Sequence, residues 1–422
     1  MFEKYDAYKD SSVEWIGKIP TDWFNERLGT ILEPISIKGN ADKDLLSITR
    51  EKGVILRDVE DDSENHNFIP DDLSNYKLIE KGQFGMNKMK AWQGSYGVSP
   101  YTGIVSPAYY IFKFIKPIYP DFFHWAIRSK TYISFFGSAS DGVRIGQWDL
   151  SKDRMKNIPF VFPNIDSQKK IVEFIQDKAG KIDQAIAIKE QQISLLNERK
   201  QIVIQKAVIQ GLDPNVPMKD SDIDGIGKIP KHWETFFNRR LFRENSRPVK
   251  GDELPLSLSQ KDGVIPSFEM KEKSLSPAHR NNFKLCFPND LVVNRFKGHL
   301  GVFFQSNYTG IVTFHYGVFE PAKNVYTKYF ELLYHTEQYK TLYAGASNGM
   351  SIGLQNLSNL NFYRIKSIVP PLEEQKMICD YADKVEKEHS NLIQKLEIQI
   401  EKLKEYKTTL INDAVTGKIK VA

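Results

Sequence analysis

The chain has 422 residues, carries a formal net charge of +5 at neutral pH and contains two cysteines. This length gives room for two or three domains with their own cores, whereas two cysteines exclude a disulfide framework and favour a reducing compartment. The N-terminal residues carry charges where a secretory signal needs an apolar core, and no segment has the ~18 apolar residues of a membrane span. We therefore expect a cytoplasmic protein, and the mild basic excess permits nucleic acid as a partner without requiring it.

The sequence repeats itself once. The two copies are offset by 210 residues near the start of the repeat and by 207 residues in the rest of it. The matching segments are Ile16–Trp23 with Ile226–Trp233, Asn87–Lys90 with Asn294–Lys297, and Tyr101–Val105 with Tyr308–Val312. The period is far longer than a solenoid unit, and each copy has the size of one domain. We therefore predict a tandem duplication, and two similar domains on one chain suit a target that itself presents two sites.

Each copy presents the same order of elements. It begins with a segment that contains proline and glycine and ends on Trp23 or Trp233, and we call this segment the lead-in. Runs rich in β-branched and aromatic residues predict strands at 83–87, 109–114 and 291–294. One short helix is predicted next in each copy, at about 121–135 after Pro120 and at about 327–343.

A long helix closes each copy. Apolar residues keep a heptad from Val172 to Val208 and again in the second copy, a pattern typical of a coiled coil. About 37 residues correspond to a rod of roughly 55 Å. We expect the two helices to pair antiparallel, which would return the C-terminus to the first lead-in. The predicted pairing residues are Ile175, Ile182, Ile186, Ile193, Leu196, Val203, Ile393, Leu396, Ile400, Leu403 and Leu410.

Polar residues interrupt the heptads at Lys189, Lys200, Glu386 and His389. They would either fix the register of the helix pair or lie where a partner subunit covers them. The predicted fold class is α+β: two tandem α/β domains, each followed by a long helix, with the helices forming an antiparallel coiled coil of pseudo-twofold symmetry. The predicted boundaries are 1–165 and 211–371 for the domains, and 166–210 and 372–422 for the helices.

The residues that catalysis would need are missing from the sequence. Pro370–Pro371 lies between valine and leucine, so the Asn/Asp-Pro-Pro-aromatic loop of adenine methyltransferases is absent. No glycine-rich cofactor loop follows a predicted strand. Asp71 and Asp121 follow prolines without the lysine of a nuclease site and are typical of turns, and the histidines and cysteines lack zinc-ligand spacing. We predict a chain that is not an enzyme and holds no metal or cofactor.

The order of these motifs resembles the specificity (S) subunit of type I restriction-modification enzymes. The matching segments are Ile16–Trp23 and its second copy, Asn87–Gly94, Gly103–Tyr109 and Ile368–Gln375. The first copy departs from the pattern at Val161–Gln168, and the second replaces Ala91–Gln93 by Gly298–Leu300.

The resemblance implies two target-recognition domains, each of which reads one half of a bipartite, gapped site in double-stranded DNA. The long helices would act as conserved spacers and as the docking platform for two methyltransferase (M) subunits, which bind S-adenosylmethionine and methylate adenine. Restriction/translocase (R) subunits would cleave the DNA. The domains at 1–165 and 211–371 would be the target-recognition domains, with no chemistry and no cofactor of their own.

Two segments, which we call the first and second frame, contain both positions that the copies share and positions at which they differ. The first frame runs from 87 to 94 and from 294 to 301. Shared positions would serve the fold and the phosphate backbone, and divergent ones would read bases. In the first frame the cations Lys88, Lys90, Arg295 and Lys297 are shared, and we expect them to alternate along a strand as phosphate contacts. A solvated strand edge is the alternative. Trp92 and Gln93 diverge from His299 and Leu300; Trp92 would pack on sugar or base or lie in the core, and Gln93 could bond adenine.

The second frame runs from 140 to 151 and from 347 to 358. Its divergent residues include side chains whose forked donors and acceptors match base edges, although a polar loop between glycines can also be an ordinary turn. The candidates are Arg144, Gln147 and Trp148 in the first copy, and Ser351, Gln355 and Asn356 in the second.

Two other classes of protein compete with this interpretation. A coiled-coil scaffold that assembles proteins without reading DNA explains the helices but not two matched, divergent domains. A self-sufficient methyltransferase or nuclease would require motifs that are missing. Salt-dependent binding to duplex DNA separates a DNA reader from a scaffold, because phosphate contacts release counterions.

Overall fold

A computed structural model describes residues 2–57, 69–140, 149–245, 247–250, 252–270, 282–347 and 356–421. The chain divides into two compact units, Met1–Glu190 with Glu397–Ala422 and Gln191–Leu396. Each unit therefore combines one copy of the repeat with a stretch of both long helices.

In the first unit the strands are β1 Tyr8–Asp10, β2 Lys18–Pro20, β3 Phe24–Arg27, β4 Leu32–Ile35, β5 Leu46–Thr49, β6 Gly53–Leu56, β7 Lys77–Ile79, β8 Phe84–Asn87, β9 Tyr96–Val98, β10 Gly103–Val105, β11 Tyr109–Phe114 and β12 Pro159–Phe162. The helices that begin in it are α1 Leu28–Ile31, α2 Pro120–Ile127, α3 Lys130–Ala139, α4 Lys152–Lys156 and α5 Ile165–Gln210.

In the second unit the strands are β13 Met218–Asp220, β14 Lys228–Pro230, β15 Glu234–Phe237, β16 Phe242–Glu244, β17 Leu256–Ser259, β18 Gly263–Pro266, β19 Lys284–Cys286, β20 Leu291–Asn294, β21 Phe303–Gln305, β22 Gly310–Val312, β23 Tyr316–Pro321 and β24 Lys366–Val369. The helices that begin in it are α6 Asn238–Leu241, α7 Thr327–Tyr334, α8 Glu337–Ala346, α9 Asn359–Arg364 and α10 Leu372–Val415.

The central sheet of each unit has four antiparallel strands in the same order. It runs β4-β11-β8-β9 in the first unit and β16-β23-β20-β21 in the second. The registers also correspond, since Asn87 pairs with Tyr109 and Asn294 pairs with Tyr316. The predicted tandem fold is therefore present in the strand pairing itself.

Aromatic side chains fill the core beneath each sheet. The ring of Phe84 packs against Phe112 at 5.9 Å and Phe123 at 5.2 Å between centroids. A buried tyrosine ties the helices to the last strand in both units: the backbone N–H of Val161 donates to the Tyr132 hydroxyl at 3.0 Å, and that of Ile368 to the Tyr339 hydroxyl at 3.1 Å. Burial of large apolar side chains is the main favourable term in folding, so these cores hold each sheet in place.

The single short helix predicted in each copy is wrong, because two helices lie there. α2 and α7 end before Ser129 and Thr336, and α3 and α8 begin after them. Both residues have extended backbones, and serine and threonine are favoured N-caps that start a new helix. The Thr336 hydroxyl accepts from the N–H of Tyr339 at 3.5 Å. Apolar residues lie on both sides of this break, so the sequence pattern predicted one continuous helix.

The long helices α5 and α10 pair antiparallel within each unit, as predicted. In the first unit Lys407 Nζ lies 2.7 Å from Asp183 Oδ1, and Lys189 Nζ lies 2.6 Å from Gln399 Oε1, so one residue number rises as the other falls. In the second unit Lys200 Nζ lies 2.9 Å from Glu386 Oε1. Lys189, Lys200 and Glu386 therefore make cross-helix contacts, whereas His389 Nδ1 lies 2.9 Å from the carbonyl of Val385 on its own helix.

The C-terminal residues lie against the first lead-in. The N–H of Lys420 donates to the carbonyl of Glu3 at 2.7 Å. Gly417 approaches Pro20 and Trp23 just as Gly211 approaches Pro230 and Trp233 in the second unit. This arrangement agrees with the expected return of the chain after an antiparallel helix pair.

Candidate nucleic-acid interface

The four cations of the first frame lie just beyond the strands on which they were expected to alternate. β8 ends at Asn87 and β20 ends at Asn294. Each asparagine accepts a hydrogen bond with its side-chain oxygen from the N–H two residues on, at 3.2 Å for Met89 and 3.1 Å for Phe296. This side-chain turn ends the strand. The strand alternation is therefore wrong for Lys88, Lys90, Arg295 and Lys297.

A short 3₁₀ turn follows in each unit, at Ala91–Gln93 and at Arg295–Leu300. Gly94 and Gly301 close these turns with φ of 91° and 74°, a conformation that favours glycine. The cations Lys90 and Lys297 are exposed, and so is Leu300. The residues that are half-buried are Trp92, Gln93 and His299. Their predicted roles in base reading stay predictions.

The end of the second frame lies against the start of the first in both units. The N–H of Leu150 donates to the carbonyl of Lys88 at 3.2 Å, and that of Leu357 to the carbonyl of Arg295 at 2.9 Å. In the first unit Lys88 Nζ also forms an ion pair with Asp149 at 3.1 Å. This hydrogen bond raises the pKa of Lys88 and keeps the ammonium charged. The fold thus brings the two predicted frames together.

Only the ends of the second frame belong to the described residues. Arg144, Gln147, Trp148, Ser351 and Gln355 lie outside the described residues. Asn356 is described and is exposed to solvent. After it, Ser358 caps α9 by accepting from the N–H of Asn361 at 3.1 Å, as Ser151 caps α4 with Arg154 at 3.2 Å.

Arg295 forms an ion pair within its own unit. Its Nη2 lies 2.7 Å from Oε1 of Glu244, and Lys284 Nζ lies 2.8 Å from the same oxygen. Sequence reasoning missed Glu244, which is 51 residues away from Arg295 and has a proline, Pro34, at the corresponding place in the first copy. The lysine pair Lys77 and Lys284 was also missed, although both residues stand at the same offset of 207.

The predicted helix-pairing residues lie on the inner side of the helix pair in their own units. None of the eleven is exposed: Ile175, Ile182, Ile400 and Leu410 are buried, and Ile186, Ile193, Leu196, Val203, Ile393, Leu396 and Leu403 are half-buried. A second apolar set faces solvent on the second unit, where Leu195, Ile202 and Leu392 are about half exposed, at 55%, 58% and 47%. Leu195 and Ile202 are one heptad apart.

Residues 230–402 match the family model described as the type I restriction modification DNA specificity domain. The second copy carries a type I specificity domain. Because the match is to a domain of DNA specificity and not of catalysis, the prediction that the chain is not an enzyme is confirmed.

Solved structures extend the likeness of fold to almost the whole chain. A chain from a structure of complex assembly and conformational transition of the type I R-M system has a TM-score of 0.65 at 13% identity and covers 94% of this chain and 98% of its own. The HsdS subunit from Thermoanaerobacter tengcongensis has a TM-score of 0.53 at 15% identity and covers 95% and 98%. The predicted resemblance to specificity subunits and the predicted fold class are confirmed.

The specificity domain and its counterpart in the first copy share the order of the central sheet, an asparagine that ends one of its strands, and a short helix capped by serine. They differ in charge at the end of the sheet where these asparagines lie. Among the described residues no group of three or more histidine, cysteine, aspartate or glutamate side chains could hold a metal ion. No helix in the described part of the chain is long and apolar enough to cross a membrane.

Proposed function

We propose that the chain is the DNA specificity subunit of a type I restriction-modification system and reads a bipartite, gapped site with two target-recognition domains. The observation that carries this proposal is the duplication. The copy that matches the specificity domain has a counterpart with the same strand order in the first unit. Two such domains on one chain suit a DNA site with two different halves.

The proposed domain boundaries follow the sequence. The target-recognition domains are residues 1–165 and 211–371, and the spacer helices are 166–210 and 372–422. The helix bounds Ile165–Gln210 and Leu372–Val415 support this division.

The proposed DNA contacts lie where the two frames meet at the sheet end. Exposed Lys90 and Lys297 would contact phosphates in equivalent places of the two units. The divergent side chains of both frames would read base edges in the groove. Lys88 is paired with Asp149 and Arg295 with Glu244, so each would have to exchange an ion pair for its phosphate contact.

The exposed apolar side chains of the long helices support a docking role. Leu195, Ile202 and Leu392 expose apolar surface that the helix pair itself does not cover, and such patches mark interaction sites. We assign this surface to methyltransferase subunits, which would bind S-adenosylmethionine, while restriction subunits join the same cytoplasmic assembly. The chain itself would supply specificity and assembly.

The first experiment is methylome sequencing of the source strain with and without this gene. Loss of N6-methyladenine at one bipartite, gapped motif would support the proposal and identify the target. If the methylome is unchanged and the purified chain shows no salt-dependent binding to duplex DNA, the chain is a coiled-coil scaffold instead. In a separate experiment, replacing residues 144–149 by residues 351–356 should change only the first half-site of the methylated motif. Unchanged specificity would show that the bases are read elsewhere.

A further inference from the structure

The two units differ in charge at the end of the central sheet. We propose that the first unit binds the phosphate backbone of duplex DNA there, with Lys38, Lys77, Lys88 and Lys152 around Tyr110, and that the second unit has no equivalent site. The first unit would then supply the larger share of the salt-dependent affinity. This inference rests on the proposed function and adds that the two DNA-binding domains contribute unequally to the salt-dependent affinity for DNA.

The topology brings the four lysines to one end of the sheet. β4 and β8 both run antiparallel to β11, so their C-terminal ends meet the N-terminal end of β11, where Tyr110 lies. Lys88 follows β8 directly, and Lys38 follows β4 after two residues. Lys77 begins β7 and donates to the carbonyl of Tyr109 at 2.7 Å, and Lys152 is the first residue of α4.

Tyr110 lies at the centre of this group. The ammonium of Lys152 lies 4.8 Å from the centroid of the ring, and that of Lys88 lies 6.0 Å from it. Both distances fall within the range of cation–π attraction. The half-buried ring therefore holds two positive charges near each other at the edge of the sheet, where an extended anion can reach them.

The positive charge is not balanced inside the unit. Among the described residues, Asp149 is the only carboxylate that pairs with any of the four lysines, and it pairs with Lys88. Lys38 makes one long contact with a neutral group, 3.4 Å to Asn75 Oδ1. Burial and then the charges of Lys152, Lys38 and Lys88 lower the pKa of Lys77, in that order of size. Repulsion among like charges raises the free energy of the unbound state, and a bound phosphate would relieve it.

Among the described residues, the second unit keeps two cations at this place and pairs both with one carboxylate. Lys284 and Arg295 replace Lys77 and Lys88, and Glu244 Oε1 pairs with both. The other oxygen of Glu244 accepts from the side-chain amide of Asn359, which replaces Lys152. The aromatic centre is also missing, because Gly317 stands where the first unit has Tyr110. Two cations, one carboxylate and no ring give this sheet end a much smaller attraction for phosphate.

The test is the salt dependence of duplex binding by the full-length chain, measured by fluorescence anisotropy with one random-sequence duplex over a series of KCl concentrations. Lys38→Gln and Lys152→Gln are suitable because both side chains are exposed and neither pairs with a carboxylate among the described residues. Each lost phosphate contact lowers the slope of log K against log salt by about 0.9. We expect the double variant to lose between one and two such contacts and to bind about tenfold more weakly at low salt.

The second unit supplies matched controls. Lys284→Gln should leave the slope within error of the wild type, because the Lys284 ammonium is already held by Glu244 and by the carbonyl of Tyr316. Glu244→Gln should steepen the slope, because it releases two cations. Thermal melting of each variant shows whether the fold is kept.

The outcomes separate this inference from the proposed function. If the wild type binds duplex DNA with salt dependence but the Lys38/Lys152 double variant keeps the wild-type slope, the inequality is overturned and the proposed function stands. If Lys284→Gln lowers the slope as much as the double variant does, the inference is overturned in the same way. A wild type that binds acidic protein or single-stranded RNA but no duplex DNA overturns the proposed function itself.

Discussion

His124 and Glu331 occupy equivalent positions in α2 and α7, and each accepts a hydrogen bond from the backbone of the edge strand with a different side-chain group. Nδ1 of His124 accepts from the backbone N–H of Val98 at 3.2 Å, and Oε2 of Glu331 accepts from the N–H of Gln305 at 2.7 Å. Val98 and Gln305 are themselves equivalent, each at the end of an edge strand. Each helix is therefore tied to the sheet by an acceptor at this position, which is an imidazole in the first unit and a carboxylate in the second.

The histidine makes the first unit sensitive to acid. Burial, with the charge of Arg128 as a second cause, lowers the pKa of His124 from 6.5 to about 4, although the charge of Asp121 opposes the shift. The neutral imidazole is thus favoured in the folded state, and the unfolded state binds the proton more tightly. The contribution of this group is complete above pH 6.5 and is lost as the pH falls towards 4, by roughly 3 kcal/mol.

Urea unfolding at a series of pH values checks this prediction. His124→Gln retains a neutral acceptor and removes the titration, so its free energy of unfolding should fall less than that of the wild type between pH 6.5 and 4. An equal decline in both proteins would contradict the assignment. Burial also lowers the pKa of His335 in the second unit, so part of the acid sensitivity should persist in the variant.

Gly417 and Gly211 allow a second prediction with an internal control. Gly417 has φ of +72°, and a Cβ there would lie 2.4 Å from Pro20 Cδ, whereas a Cβ on Gly211, at φ +79°, would come no closer than 3.3 Å to Trp233. Left-handed backbone costs alanine about 1–2 kcal/mol, and the overlap with Pro20 adds to it. We expect Gly417→Ala to lower the free energy of unfolding by about 3 kcal/mol and Gly211→Ala by about 1. Equal losses in chemical denaturation would show that the close approach to Pro20 is unimportant.

The long helices offer a pair of substitutions with opposite consequences. Leu410 is 3% exposed, so Leu410→Ala should cost about 2–4 kcal/mol of stability through lost packing. Leu195 is 55% exposed, so Leu195→Asp should change stability by less than about 0.5 kcal/mol and weaken the binding of methyltransferase subunits. Thermal melting and co-purification measure the two effects. If Leu195→Asp leaves co-purification unchanged, the partner docks elsewhere.

Features with a regular period were predictable from the sequence. The heptads of α5 and α10 repeat over many residues, so the long helices and their apolar faces follow directly from the pattern. The strands at 84–87, 109–114 and 291–294 follow from short β-branched and aromatic runs. The offset of 207 also predicted two copies of one domain with the same order of elements along the chain.

Features that depend on one side chain or on distant contacts were not predictable. The side chain of Asn87 ends β8 one residue before Lys88, and a strand pattern alone does not contain that hydrogen bond. The cap at Thr336 divides an apolar run that reads as one helix. Glu244 reaches Lys284 and Arg295 across 40 and 51 residues of chain, so only the fold reveals that these two cations share one carboxylate.

The last prediction tests the division of labour between helices and domains. Deletion of residues 181–187 from α5 and 401–407 from α10 removes one heptad from each helix, keeps the apolar pattern in phase and leaves Leu195, Ile202 and Leu392 in place. Seven residues of helix span roughly 10 Å, which corresponds to about three base pairs. We expect the methylated motif to keep both half-site sequences while its non-specific spacer shortens by about this amount. Methylome sequencing of a strain with the deletion measures both; altered half-sites would mean that the helices themselves take part in reading the bases.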